Sequence, residues 1–114
     1  MAKYVKNFLG NYDHFIQYLE KEIIEGSLTA SLEEKEEFTF PQGKGVVMAF
    51  ERYSYTGGNR VSLTMTIMGY DNHIHLIATS TGGSTASFFK INTWSEEAFL
   101  EKVKTAIDQY IRKQ

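Results

Sequence analysis

Two glycine pairs, Thr56-Gly57-Gly58 and Thr81-Gly82-Gly83, are the residues most suggestive of a ligand site, because exposed glycine amides can approach an anion closely. Arg52, Tyr55 and Arg60 surround the first pair, and Ser80 and Ser84 flank the second. Together Arg52, Tyr55, Gly57, Gly58, Arg60, Ser80, Gly82, Gly83 and Ser84 would offer amides, hydroxyls and guanidinium groups to a small polar or anionic ligand. A nucleotide-type phosphate loop is not expected. It needs a lysine and a hydroxyl directly after the glycine turn and then a helix, whereas Gly57-Gly58 leads into Asn59-Arg60 and Gly82-Gly83 into Ser84-Thr85, both followed by strand-like sequence. The simpler reading of each pair is a hairpin turn in which glycine supplies positive φ, with Arg60 laid against Tyr55.

His73-Ile74-His75 places two imidazoles on one face of a strand, a spacing that can chelate a metal. No third ligand is evident, since His14 belongs to a helix expected on the other side of the sheet, so neither a metal nor any other cofactor is expected. The chain lacks the Gly-x-Ser-x-Gly and His-Glu-x-x-His patterns, and no isolated acidic pair interrupts an apolar strand, so no catalytic residues stand out. With no cysteine among the 114 residues, disulfides, thiolate nucleophiles and zinc-thiolate sites are excluded together. A net charge of -2 argues against a nucleic-acid partner, which would call for clustered Lys and Arg. No apolar run long enough for a membrane helix occurs, and MAKYVKNFLGNYDHF lacks an apolar leader core, so a cytoplasmic protein without membrane partners is expected.

These residues must be positioned by the elements around them. Apolar residues at helical spacing, Tyr12, Phe15, Ile16, Leu19 and Ile23, predict an amphipathic helix capped by Asn11 or Asp13 and ended by a left-handed Gly26. A second helix is predicted at the C-terminal end, with Ser95 as N-cap, Trp94 stapled onto Phe99, and a stripe of Phe99, Leu100, Val103, Ile107, Tyr110 and Ile111.

Between them, Val61, Leu63, Met65 and Ile67 alternate with polar residues, as do Ile74, Leu76 and Ala78. A type I′ turn at Asp71-Asn72 would pair Ile67 with Leu76, Met65 with Ala78, Thr66 with Ile77 and Met68 with His75. A turn at Gly57-Gly58 would pair Met48 with Ile67 and Phe50 with Met65, leaving Arg52 on the core face opposite Leu63 with its head reaching water. STASFFKI is expected to fold back as a further strand, and AKYVKNFL to form another. SLTASL with FTF supplies a strand before Pro41-Gln42-Gly43, its run Glu33-Glu34-Lys35-Glu36-Glu37 marking a solvated edge.

The predicted order gives an α+β class: one domain over 1–114, a two-layer sandwich of antiparallel meander sheet with two helices on one face, TATA-binding-protein-like or helix-grip-like. On the opposite face these registers gather Val47, Ala49, Met68, Ile77 and Phe88, an apolar band of the kind that joins two copies.

FERYSYTGGNRVSLTMTI and TSTGGSTASFFKINTWSEEAFL resemble a family of small uncharacterised bacterial proteins, mainly from Gram-positive bacteria, that carry a domain-of-unknown-function label. The resemblance covers nearly the whole chain and implies no activity. From the residues, the expectation is a non-enzymatic binding or interaction module that forms a homodimer through the back of its sheet. The alternative is an enzyme or binding protein for a small anionic metabolite, using Arg52 or Arg60 with Ser80 or Ser84.

Overall fold

The computed structural model describes residues 2–27, 29–53, 60–82 and 89–114, with backbone alone over 89–98. In chain order the elements are β1 (Ala2–Leu9), α1 (Tyr12–Glu25), β2 (Ser31–Phe40), β3 (Gly43–Tyr53), β4 (Arg60–Tyr70), β5 (His73–Gly82) and α2 (Phe89–Lys113). The strands form one antiparallel sheet ordered β1-β5-β4-β3-β2. This is the predicted α+β arrangement of a meander with two helices.

Alternation along the strands decides which face is covered. Val46, Met48 and Phe50, then Val61, Leu63, Met65 and Ile67, then Ile74, Leu76 and Ala78 are all buried on one face. Against them lie Phe15, Ile16, Leu19 and Ile23 of α1 and Phe99, Leu100, Val103, Ile107 and Tyr110 of α2, forming one core cluster. Complete burial of one Leu or Phe side chain contributes roughly 1.5–3 kcal/mol, so these two stripes hold the helices on the sheet. Asn11 caps α1 by accepting from the His14 amide. Ion pairs from Asp13 to Lys44 at 2.8 Å and from Glu20 to Lys35 at 2.9 Å tie α1 to β3 and β2.

Helix α1 also carries the chain from one sheet edge to the other. Four inter-strand gaps of about 4.8 Å make roughly 19 Å, and a helix of this length covers about 21 Å. The expected role of the charge run holds in position: β2 is an edge strand, largely exposed, with a register shift between Leu32 and Glu34.

The β4–β5 register is the predicted one, Ile67 opposite Leu76 and Met65 opposite Ala78. Asp71 and Asn72 have φ of 47° and 62°, both left-handed as a type I′ turn requires. The β3–β4 register differs by two residues from expectation. Met48 faces Met65, Phe50 faces Leu63 and Arg52 faces Val61, with pairing ending at Tyr53 and Arg60. A shift of two leaves every side chain on its own face, so alternation could not distinguish the two registers.

Three further expectations are corrected. The free side of β5 is taken by β1 over eight residue pairs, and residues 89–91, expected in a strand, belong to α2. Ser95 therefore lies within α2, where its capping preference is outweighed. Gly26 ends α1 with φ -81°, in the right-handed region. Glycine suits that site for another reason: an added Cβ would stand 2.6 Å from the Glu22 carbonyl oxygen.

Candidate interaction face

The residues expected around the two glycine pairs are divided by the sheet. Arg52 points to the covered face, its guanidinium 4.5 Å from the Phe99 ring centre, at the open end of the core. Arg60 lies on the other face, paired with Glu51 at 2.9 Å and 5.5 Å above the Tyr53 ring. Ser80 is on the covered face with Arg52, and Gly82 closes β5 opposite Val61. Two guanidinium groups on opposite faces cannot converge on one small anion, and the charge of Arg60 is already balanced by Glu51. Tyr55, Gly57, Gly58, Gly83 and Ser84 lie outside the described residues.

Ser80 is fully buried, and its Oγ has no hydrogen-bond partner among the described residues. An unsatisfied buried hydroxyl costs about 1–3 kcal/mol. Ser80→Ala is therefore expected to raise folding stability by about 1 kcal/mol in urea denaturation, and a loss of similar size would show that the hydroxyl has a structural partner.

The histidine pair is engaged within the open face. The Tyr70 ring stacks on His75 at 5.4 Å and on His73 at 5.6 Å. His75 Nδ1 donates to Asn7 Oδ1 at 2.7 Å, and the Tyr70 hydroxyl donates to Nε2 at 3.3 Å, so both ring nitrogens are occupied. His14 is across the sheet, its Nδ1 2.7 Å from the Tyr110 hydroxyl. Among the described residues no three His, Asp or Glu side chains gather at metal-binding range.

Open clefts of about 520 and 430 Å³ lie elsewhere among the described residues. The first, between the helices, mixes Glu22, Glu101 and Lys102; the second, beside the Asp71-Asn72 turn, mixes Asp13, Lys44 and Asp71. Neither collects charge of one sign.

The uncovered face of the sheet has a different character. Reading across the strands, Val5, Ile77, Thr66, Val47 and Glu36 form one row. The row on one side is Asn7, His75, Met68, Gly45 and Phe38, and on the other Lys3, Thr79, Thr64, Ala49 and Glu34. Val5 is 50% exposed, Ile77 47%, Val47 37% and Met68 37%, so the apolar band crosses four adjacent strands in contact with solvent. The Phe38 ring packs over Gly45 and extends the band to the β2 edge. Phe88, expected in this band, lies outside the described residues.

A family profile described as a family of unknown function, DUF6054, matches residues 1–111. The chain belongs to this family. No curated protein and no solved structure matches it.

In this DUF6054 member the residue that sequence reasoning missed is Val5. Its neighbours in AKYVKNFL alternate ambiguously, and only the pairing of Val5 with Ile77 assigns it to the open face. Once that pairing is set, the period of two turns Tyr4 and Phe8 to the core and Val5 and Leu9 outward. Under the helices the same DUF6054 chain collects phenols instead. Tyr4 donates to Asp108 at 3.0 Å, and Tyr18 donates to the Ala106 carbonyl at 2.9 Å. Burial, reinforced by Asp108, pushes Tyr4 up to about 12, and burial with Glu37 nearby does the same to Tyr12. Burial also raises Tyr18 and Tyr110, as expected of groups that hold a core together rather than exchange protons near neutrality.

Proposed function

We propose that this protein is a non-enzymatic interaction module that pairs with a second copy of itself through the open face of its sheet. The observation that carries this reading is the exposed band of Val5, Val47, Met68 and Ile77. Apolar patches of this extent, rimmed by polar residues, mark association surfaces. Five strands about 4.8 Å apart and roughly eight residues long give a face of about 650 Å² per copy, near the ~800 Å² per partner of an ordinary stable interface. Covering that band removes side chains from water that the fold itself leaves exposed, which is the driving force for pairing.

A cytoplasmic location forms part of the proposal. Among the described residues no helix is long and apolar enough to cross a membrane. The alternative, action on a small anionic metabolite beside the two glycine pairs, draws less support because Arg52 and Arg60 face apart.

Sedimentation equilibrium tests the proposal. The wild-type chain is expected to be a dimer at micromolar concentration, and Met68→Lys with Ile77→Lys to be a monomer of unchanged helix and strand content. A wild-type monomer at high micromolar concentration would refute the reading.

A further inference from the structure

The charges at the two ends of the open face bear on how two copies would meet. On the β1 edge stands Lys3, and on the β2 edge stand Glu34 and Glu36, all exposed. Lys3 and Glu34 occupy opposite ends of one row, with Thr79, Thr64 and Ala49 between them. The face is therefore polar in a second sense, positive at one edge and negative at the other, with the apolar band in the middle.

Two sheets packed face to face keep their strands nearly aligned, within about 30°. A two-fold axis lying between them then runs either parallel or perpendicular to the strands. The perpendicular axis sets each strand over its own copy, which would bring the Glu36 carboxylates of the two β2 edges together and leave Lys3 far from any of them. Like charges so placed oppose association.

The parallel axis exchanges the two edges. Because β4 is the middle strand of five, an axis along it lays β5 over the partner's β3 and β1 over the partner's β2, while β4 meets β4. Within the rows described above, Ile77 then covers the second copy's Val47, Met68 meets Met68, and Thr79 meets Ala49. At both ends Lys3 faces Glu34, with Glu36 one row away. In this operation the edge charges become complementary and the middle of the apolar band meets apolar residues, while at the edges Val5 of each copy lies against the aliphatic stem of the second copy's Glu36.

Resting on the proposed pairing through this face, we infer that the homodimer is built on a two-fold axis parallel to β4, with Lys3 of each copy set against Glu34 and Glu36 of the other. This arrangement is isologous, so each contact off the axis occurs twice and each charge reversal counts twice.

Charge reversal, followed by sedimentation velocity at low salt, tests the arrangement. Lys3→Glu alone and the double variant Glu34→Lys with Glu36→Lys are each expected to weaken self-association by about tenfold. Mixing the two variants is expected to restore dimers of wild-type strength, since every edge contact in the mixed pair again joins opposite charges. If Lys3→Glu has no effect and the double variant pairs preferentially with the wild-type chain, the perpendicular axis is correct and the inference is overturned while the pairing face stands. If the wild-type chain is a monomer, the face itself is refuted, and the inference falls with it.

Discussion

Phe15→Ala is expected to remove about 3–5 kcal/mol of folding stability, the range for truncating a buried phenylalanine. Phe15 is fully buried where three elements meet. Its ring stands edge-on to Phe8 of β1 at 4.9 Å and to Tyr110 of α2 at 5.1 Å, while its backbone lies in the first turn of α1. Truncation removes both ring contacts together, so the junction of β1, α1 and α2 loses its shared side chain. A chain of this size holds roughly 5–15 kcal/mol in total, so the variant should sit near its unfolding limit. Urea denaturation is the measurement, with a falling midpoint at unchanged slope. Phe15→Leu should lose much less because most of the volume stays. A loss below about 1 kcal/mol for the alanine variant would show that Phe15 does not join these elements.

Alkaline pH is expected to unfold the protein through its tyrosines. Tyr4 and Tyr12 are raised from an ordinary value of 10.0 to about 12, and Tyr18 and Tyr110 are raised as well, in each case first by burial. Their neutral forms are thus favoured in the folded chain. The stability that this preference contributes is fully present below the unfolded value near 10 and is lost as pH rises through the folded value near 12. Ionisation also removes the hydroxyl donors that Tyr4 gives to Asp108 and Tyr18 gives to Ala106. Thermal unfolding should be insensitive to these groups at neutral pH and should weaken steeply between these two limits, with phenolate absorbance appearing as the fold is lost. Tyr4→Phe should flatten that fall. Titration of Tyr4 and Tyr12 near 10.0 with the fold intact would contradict the burial described here.

Much of this fold is legible in the amino-acid sequence. Strict alternation in Val61–Ile67 and Ile74–Ala78, with Asp71-Asn72 between, specified both strands, their turn and their register. The stripes of α1 and α2 named the core residues of both helices. These are properties of neighbouring residues, and a period of 2 or 3.6 records them directly. The open-face candidates Val47, Met68 and Ile77 followed from the same alternation, because whatever is not turned to the core must face away from it.

What local pattern left open was everything that depends on distant partners. The β3–β4 register slipped by two because both alternatives keep the same faces. The start of α2 moved to Phe89, and the edge of β5 went to β1 instead of to the segment that follows β5. That pairing joins residues about seventy positions apart, a contact whose loop-closure cost and packing gain no short window contains. It placed Val5 beside Ile77, and with it Lys3 at the edge opposite Glu34 and Glu36. Side-chain periodicity determined which residues are apolar on each face; the strand order, a property of the whole chain's closure, decided how those faces are joined and where their charges stand.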